Sequence, residues 1–185
     1  MPVAQQLESL RAELRESQSA IASFAARVSD QDFSRRPPSG GWSAAECIAH
    51  LTLTTEGYIP LLSAARRKVP EGTALPSAYK MGFGAWLLWW ILKPPARGYS
   101  RSRTLPAFVP GSAAPKAATL AAFDRSQEAL LAWIASVERA PLNHMMLTSP
   151  FNEKMKYNAY GALRVIAVHQ QRHIWQAERA ARGIP

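Results

Sequence analysis

Apolar side chains recur at alternating steps of three and four along much of this chain, the period of a helix with one buried face. Leu7, Leu10, Leu14, Ile21, Phe24 and Val28 make the first such row, with Ser17 interrupting it, and predict a helix from about residue 4 to 29. Arg35-Arg36-Pro37-Pro38-Ser39-Gly40-Gly41 then breaks the chain. Ser43-Ala44-Ala45-Glu46 has the form of a capping box, in which the serine hydroxyl accepts from the Glu46 amide and the carboxylate reaches back. A second helix therefore starts at Ser43 and runs to about Lys68, with a kink expected at Pro60, whose ring removes one backbone hydrogen bond. Leu120, Phe123, Leu130, Ile134 and Val137 carry a third helix from near Pro115 to about Glu138, with polar Gln127 inside the apolar row. A fourth runs from an Asn158 cap to about Arg182. Gly183 suits its C-terminal cap, and Arg179 and Arg182 complement the negative end of its dipole. No segment alternates over a length that predicts a strand, and there is no internal repeat.

The connections shape the expected topology. Short links join helices 1–2 and 3–4, which favours antiparallel neighbours, while the stretch from about 69 to 114 is long enough to travel the length of a bundle. Its prolines, among them Pro70, Pro76, Pro94, Pro106 and Pro110, forbid one continuous helix. The expected fold is all-α: a single domain over residues 1–185, forming an up-down-down-up four-helix bundle with a long crossover between helices 2 and 3. Inside that crossover, Phe83 to Leu92 is an apolar run with Trp86, Trp89 and Trp90 at its heart. It is half a membrane span at most, and it could cap the bundle, form a dimer contact, line a substrate pocket or lie on a membrane surface. Membrane contact is the reading least expected.

Composition narrows the class. The chain has 185 residues, 48% hydrophobic and 19% charged, so it is globular and long enough to bury a core without staples. Cys47 is the only cysteine, which excludes an intramolecular disulfide and any cysteine-rich zinc module. The polar start MPVAQQLESLRAEL has no apolar leader core, and a cytoplasmic location is expected. Lys and Arg total 22 against 13 Asp and Glu, a net charge of +9. The cations are mostly dispersed arginines, with short clusters at Arg66-Arg67-Lys68 and at Arg97, Arg101 and Arg103. No nucleic-acid motif accompanies them, so the excess reads first as a solvated basic surface and second as a means of holding an anionic small ligand.

The chemistry lies in the histidines. His169 and His173 are four residues apart on the fourth helix, a turn of about 400° that brings both imidazoles out about 40° apart on one face. Imidazole is the commonest ligand for Zn, Ni, Cu and Fe, so the pair forms half of a metal site. His50 lies on the second helix, on a stripe with Cys47 and Thr54, and could complete the set. The alternative for each is a hydrogen-bonded core or surface histidine, since HxxxH pairs arise by chance on many helices. Three neutral imidazoles would leave a coordination position open, as a catalytic ion requires. His144 falls in a loop and is not expected to be a ligand. HQQRH has Gln170 where the HExxH motif carries its base, and no P-loop, GxGxxG or GxSxG is present. Cys47 reads as a small core residue before a nucleophile, and Glu46 as part of the cap before an acid–base group.

GWSAAECIAHL at the start of the second helix, together with HQQRHIWQAERA near the C-terminus, resembles the DinB/YfiT-like family of metalloenzymes. The likeness in helix lengths and long crossover covers most of the chain, although Phe83 to Arg103 matches no subfamily pattern. The resemblance implies a four-helix bundle, frequent homodimerisation, and a divalent ion on His50, His169 and His173, with Zn or Ni foremost and Mn, Co or Fe possible. It also implies thiol transfer, thiol-dependent isomerisation or hydrolysis. The ion can lower the pKa of a thiol or of water. The expectation is a transferase for a small-molecule substrate with a low-molecular-weight thiol as cosubstrate, with Arg97, Arg101 or Arg103 receiving the carboxylates of that thiol. Gln176, one turn beyond His173, could orient a ligand or bound water. A metal-dependent hydrolase and a non-catalytic metal-binding or interaction bundle are the alternatives, and no specific nucleic acid is expected as a partner.

Overall fold

The structure, a computed structural model, describes residues 1–38, 40–94, 104–111 and 114–184. It is mostly helical, as the periodicity requires. The four long helices are α1 (Val3–Arg27), α3 (Ala44–Arg67), α5 (Lys116–Ala135) and α6 (Ala159–Ala181). A one-turn α2 (Asp30–Ser34) follows α1, and the crossover holds α4 (Phe83–Leu92) and a 3-10 turn at Pro106–Phe108. Arg97, Arg101 and Arg103 lie outside the described residues.

Local signals set the helix ends. The capping box forms in full: Ser43 Oγ accepts from the Glu46 amide at 3.2 Å, and Glu46 Oε2 accepts from the Ser43 amide at 2.8 Å. Asn158 Oδ1 accepts from the Gly161 amide at 2.8 Å, which starts α6 where the sequence expects it. Gly183 adopts φ 70° just past the end of that helix. Pro60 does not end α3, which continues to Arg67. Glu56, whose carbonyl loses its partner there, and Pro60 are both exposed, so water can take the missing bond.

The helices joined by the shorter links do not form the main interfaces. α1 and α3 each pack on both α5 and α6. Neighbour choice follows the apolar faces, because each link carries enough structure, α2 in one and a hairpin in the other, to cross an end of the bundle. Gln18 donates to Asp124 across α1 and α5, Glu13 accepts from Arg164 across α1 and α6, and Arg66 donates to Ser136 beyond the end of α5.

Two apolar clusters fill the interior. One gathers Leu7, Leu10, Leu14, Leu62, Leu130, Ile134 and Leu163, and the other gathers Ile21, Phe24, Phe33, Ile48, Leu51 and Phe123. Between them in sequence on three helices lies a polar level: Ser17 on α1, Gln127 on α5, and His169, Gln170 and His173 on α6.

Two features of the connections depart from expectation. The segment before α6 is a β-hairpin, β1 (Met146–Ser149) against β2 (Asn152–Asn158), where no strand was predicted. β1 has only four residues, β2 (NEKMKYN) is polar at most positions and so shows no clear apolar alternation, and a register irregularity between Thr148 and Ser149 disturbs the pairing. Phe83 to Leu92 forms a helix of its own, lying against α6 and β2. Leu88, Trp89 and Leu92 pack on the core, while Phe83, Trp86 and Trp90 stay exposed. Gly161 permits the approach: a Cβ there would stand 2.7 Å from both the Ala85 Cβ and the Met81 carbonyl. No helix among the described residues is long and apolar enough to cross a membrane.

Candidate metal centre

α3 and α6 bring His50, His169 and His173 together across 119 residues of sequence (169 − 50). The Nε2 atoms of His169 and His173 face each other at 3.0 Å. The His50 ring lies 5.2 Å from that of His169 and 4.6 Å from that of His173, centre to centre. One ligand nitrogen from each residue falls within 4.8 Å of the others. Ligands of a tetrahedral zinc at ~2.1 Å stand about 3.4 Å apart, so the set is close to what a single ion needs.

The hydrogen bonds around the rings fit the same purpose. His50 Nδ1 lies 2.7 Å from the Phe108 carbonyl, which can only accept, so Nδ1 carries the proton and Nε2 keeps a bare lone pair. His173 Nδ1 is buried without a hydrogen-bond partner; Thr55 Oγ1 is the other such side-chain atom among the described residues. In the metal-free chain the two facing Nε2 atoms can share one proton, and a cation between them would satisfy both lone pairs. These residues can therefore hold a divalent ion.

Burial also keeps the imidazoles neutral, the form that binds metal. It lowers His50, against a smaller opposing effect of the Phe108 carbonyl. It lowers His169 to about 3, with help from His50 and Arg172, and takes His173 well below the usual histidine value, with His169, His50 and Arg172 adding to the effect.

The cluster forms part of the wall of an 830 Å³ cavity, a size suited to a small-molecule ligand. Trp42 covers one side, its ring 4.8 Å from His50 and 6.0 Å from His173. Phe151, at the hairpin turn, lies 6.1 Å from His169 and 4.7 Å from Phe108. The crossover helix contributes Leu88, Ile91 and Leu92. Farther along, Tyr58 and Ser149 line the wall, the Tyr58 hydroxyl bonds to that of Tyr157, and burial raises both phenols so that they stay protonated.

The other candidates sort themselves by position. Gln176 lines the cavity. Cys47 lines it too, but burial pushes its thiol up to about 12, which leaves no thiolate for nucleophilic attack. Burial raises the Glu46 carboxyl, but hydrogen bonds from Arg36 and the Ser43 amide outweigh it and hold that group low, as its capping role suggests. His144 is exposed in the turn before β1 and is not part of the cluster.

Sequence reasoning did not assign Trp42, Tyr58, Phe151 or Arg172 to the site. Trp42 directly precedes the capping box and Arg172 sits inside HQQRH, so both had a positional signal. Phe151 had none, because it reaches the site through a hairpin that no periodicity announces.

Comparison with curated proteins returns no match, and neither does comparison with solved structures. A family model described as the DinB superfamily matches residues 13–177, a span that contains all three histidines and all four long helices apart from the ends of α1 and α6. By that match the chain belongs to the DinB superfamily.

Proposed function

We propose that this protein is a divalent-metal-dependent enzyme in which His50, His169 and His173 are the ligands, and that it transfers a small-molecule substrate to or from a low-molecular-weight thiol. The observation that carries this reading is the convergence of three neutral imidazoles, two buried and that of His169 half-buried, on the wall of a cavity large enough for a substrate. A divalent ion held there would supply positive charge that favours thiolate over thiol near neutral pH.

The chain's own residues do the rest. α3 and α6 fix the donor atoms on rigid helices, and the Phe108 carbonyl sets the His50 tautomer. Trp42 and Phe151 restrict water around the rings, and the Gln176 amide is placed on the wall to orient a bound group. The frame is an up-down-down-up bundle. Support comes from α1 meeting α6 head to head (Gln6 to Tyr160, Glu13 to Arg164) and α5 head to tail (Gln18 to Asp124, Lys116 to Val28). α3 meets α6 head to tail, with His50 beside His173 and Tyr58 beside Tyr157.

Elemental analysis of untagged protein purified without added metal, beside His50→Ala and His169→Ala, tests the ligand set. Near-stoichiometric metal lost in both variants supports it. Metal absent from the wild type, and not restored by titration with Zn, Ni, Mn, Co or Fe(II), overturns it. Loaded protein is then assayed with thiols and a panel of electrophiles. Turnover that does not need thiol would make the reaction a hydrolysis.

A further inference from the structure

The crossover helix α4 is apolar on both sides. Ala85, Leu88, Trp89 and Leu92 turn inward to the core. A second row, Phe83, Trp86 and Leu87, leaves the opposite side at positions i, i+3 and i+4. That outer row remains 75%, 47% and 38% exposed, and the Phe83 and Trp86 rings stack with 6.1 Å between their centres. A surface helix normally turns a polar side to water. An apolar outer side, on a helix whose inner side is already packed, marks a contact surface.

Lysines border this row. Lys80 precedes α4 and Lys93 ends it, with its Nζ 5.2 Å from the centre of the Trp89 ring. Lys154 and Lys156 lie on β2, the strand that packs beside α4. All four are exposed, and none pairs with a carboxylate among the described residues. Against them, residues 80–94 and 146–158 contain a single acid, Glu153. A second copy docking through the same row would set lysines against lysines. The row is also small: a ten-residue helix is about 15 Å long, a footprint well below the ~800 Å² per partner of a stable protein interface. A lipid surface asks for neither that area nor a matching shape. Aromatic rings enter its interface, and lysines meet anionic headgroups.

We infer that α4 docks the protein on an anionic lipid surface, with Phe83, Trp86 and Leu87 in the headgroup layer and Lys80, Lys93, Lys154 and Lys156 against lipid phosphates. The contact is peripheral and reversible, since α4 is too short to cross a bilayer. The sequence favours a cap or a dimer contact for the run Phe83 to Leu92. Packing of its inner side, and the lysines beside its outer side, give the outer row to a membrane instead. This docking goes beyond the metal-dependent reaction and does not depend on it.

The test is co-sedimentation with vesicles of phosphatidylcholine, alone or with roughly one-third phosphatidylglycerol. The wild type should bind the anionic vesicles at least about tenfold more tightly than the neutral ones. A net charge of +9 attracts any anionic surface, so charge alone must be separated from docking. Phe83→Ser/Trp86→Ser/Leu87→Ser keeps every charge and should weaken binding at least about tenfold. Lys154→Gln/Lys156→Gln should weaken it at least about fivefold. Anionic vesicles that also carry brominated phosphatidylcholine should quench the tryptophan emission of the wild type, which decides the matter if the triple variant does not fold. No binding to anionic vesicles, binding untouched in a folded triple variant, or binding without quenching would overturn the inference. A dimer seen by light scattering without lipid, broken by the triple variant and accompanied by no vesicle binding, would assign the row to a second copy instead.

Discussion

Two buried polar groupings sit at the same level of the bundle, both using residues of the run His169–His173, and they are built in opposite ways. On one side, Gln127 and Gln170 exchange two amide hydrogen bonds, at 2.8 and 3.1 Å, and Gln127 also donates to the Leu14 carbonyl at 2.7 Å. That grouping is closed, with donors and acceptors matched inside the protein. On the other side, the Nε2 atoms of His169 and His173 face each other at 3.0 Å as two like groups that can be joined only by a shared proton or a cation, and the His50 ring closes on the same space. A closed network stabilises and specifies a core, whereas an unmatched one implies a missing member. Both groups are buried and polar, so burial alone does not tell a site from a strut. The balance of donors and acceptors does.

The strongest way to break the comparison is to remove a ligand. His169→Ala or His173→Ala should lower metal affinity more than about 100-fold, while Gln127→Leu leaves it unchanged, as read by competition with a chromophoric chelator. Gly57→Ala probes the support of His50 without touching a ligand. Its Cβ would stand 2.8 Å from the Phe108 ring, the residue whose carbonyl holds the His50 tautomer. A fall of about tenfold in metal affinity is expected, and an unchanged affinity would show that the Phe108 carbonyl does not position His50.

The closed side predicts the converse. Gln127→Leu should cost about 1–3 kcal/mol of stability by leaving Gln170 unpaired, and Gln127→Leu/Gln170→Leu should recover part of that loss, as measured by urea denaturation. A double variant less stable than the sum of the two single changes would contradict the closed-pair account.

Acid sharpens the contrast in the metal-free protein. The unfolded histidines take up protons near pH 6.5, whereas burial holds the folded ones neutral far below that, His169 down to about 3. Below pH 6.5 the unfolded state therefore binds more protons, and stability should fall as pH drops, by up to about 1.4 kcal/mol per pH unit for each proton. The slope should shrink in His169→Gln and stay the same in Gln127→Leu. The smallest effect belongs to His144→Ala, which should shift stability by less than about 0.5 kcal/mol and leave metal content unchanged.

Much of this was legible in the chain. The three- and four-residue rows located the long helices because each helix buries one face, and the capping box and the Asn158 cap set two boundaries because they are local hydrogen-bond patterns. The histidine pair was legible for the same reason, since a spacing of four on one helix fixes its own geometry. The hairpin was not: β1 has four residues and β2 is mostly polar, so neither carries an apolar period to detect, and the burial of Leu147, Ser149 and Tyr157 comes from the tertiary fold. The apolar run at Phe83 to Leu92 was visible, but its role as cavity wall depended on Gly161 leaving room for Ala85 seventy-six residues earlier (161 − 85).

The sequence by itself determined the helices, their caps, the family and the candidacy of three histidines, because those depend on near neighbours and on the kinds of residue present. Only the tertiary structure decided that His50 meets the other two, that Phe151 and α4 line the space beside them, and that Arg172 and Arg179 border it. Those facts depend on which apolar faces pack together, a choice made by all the helices at once.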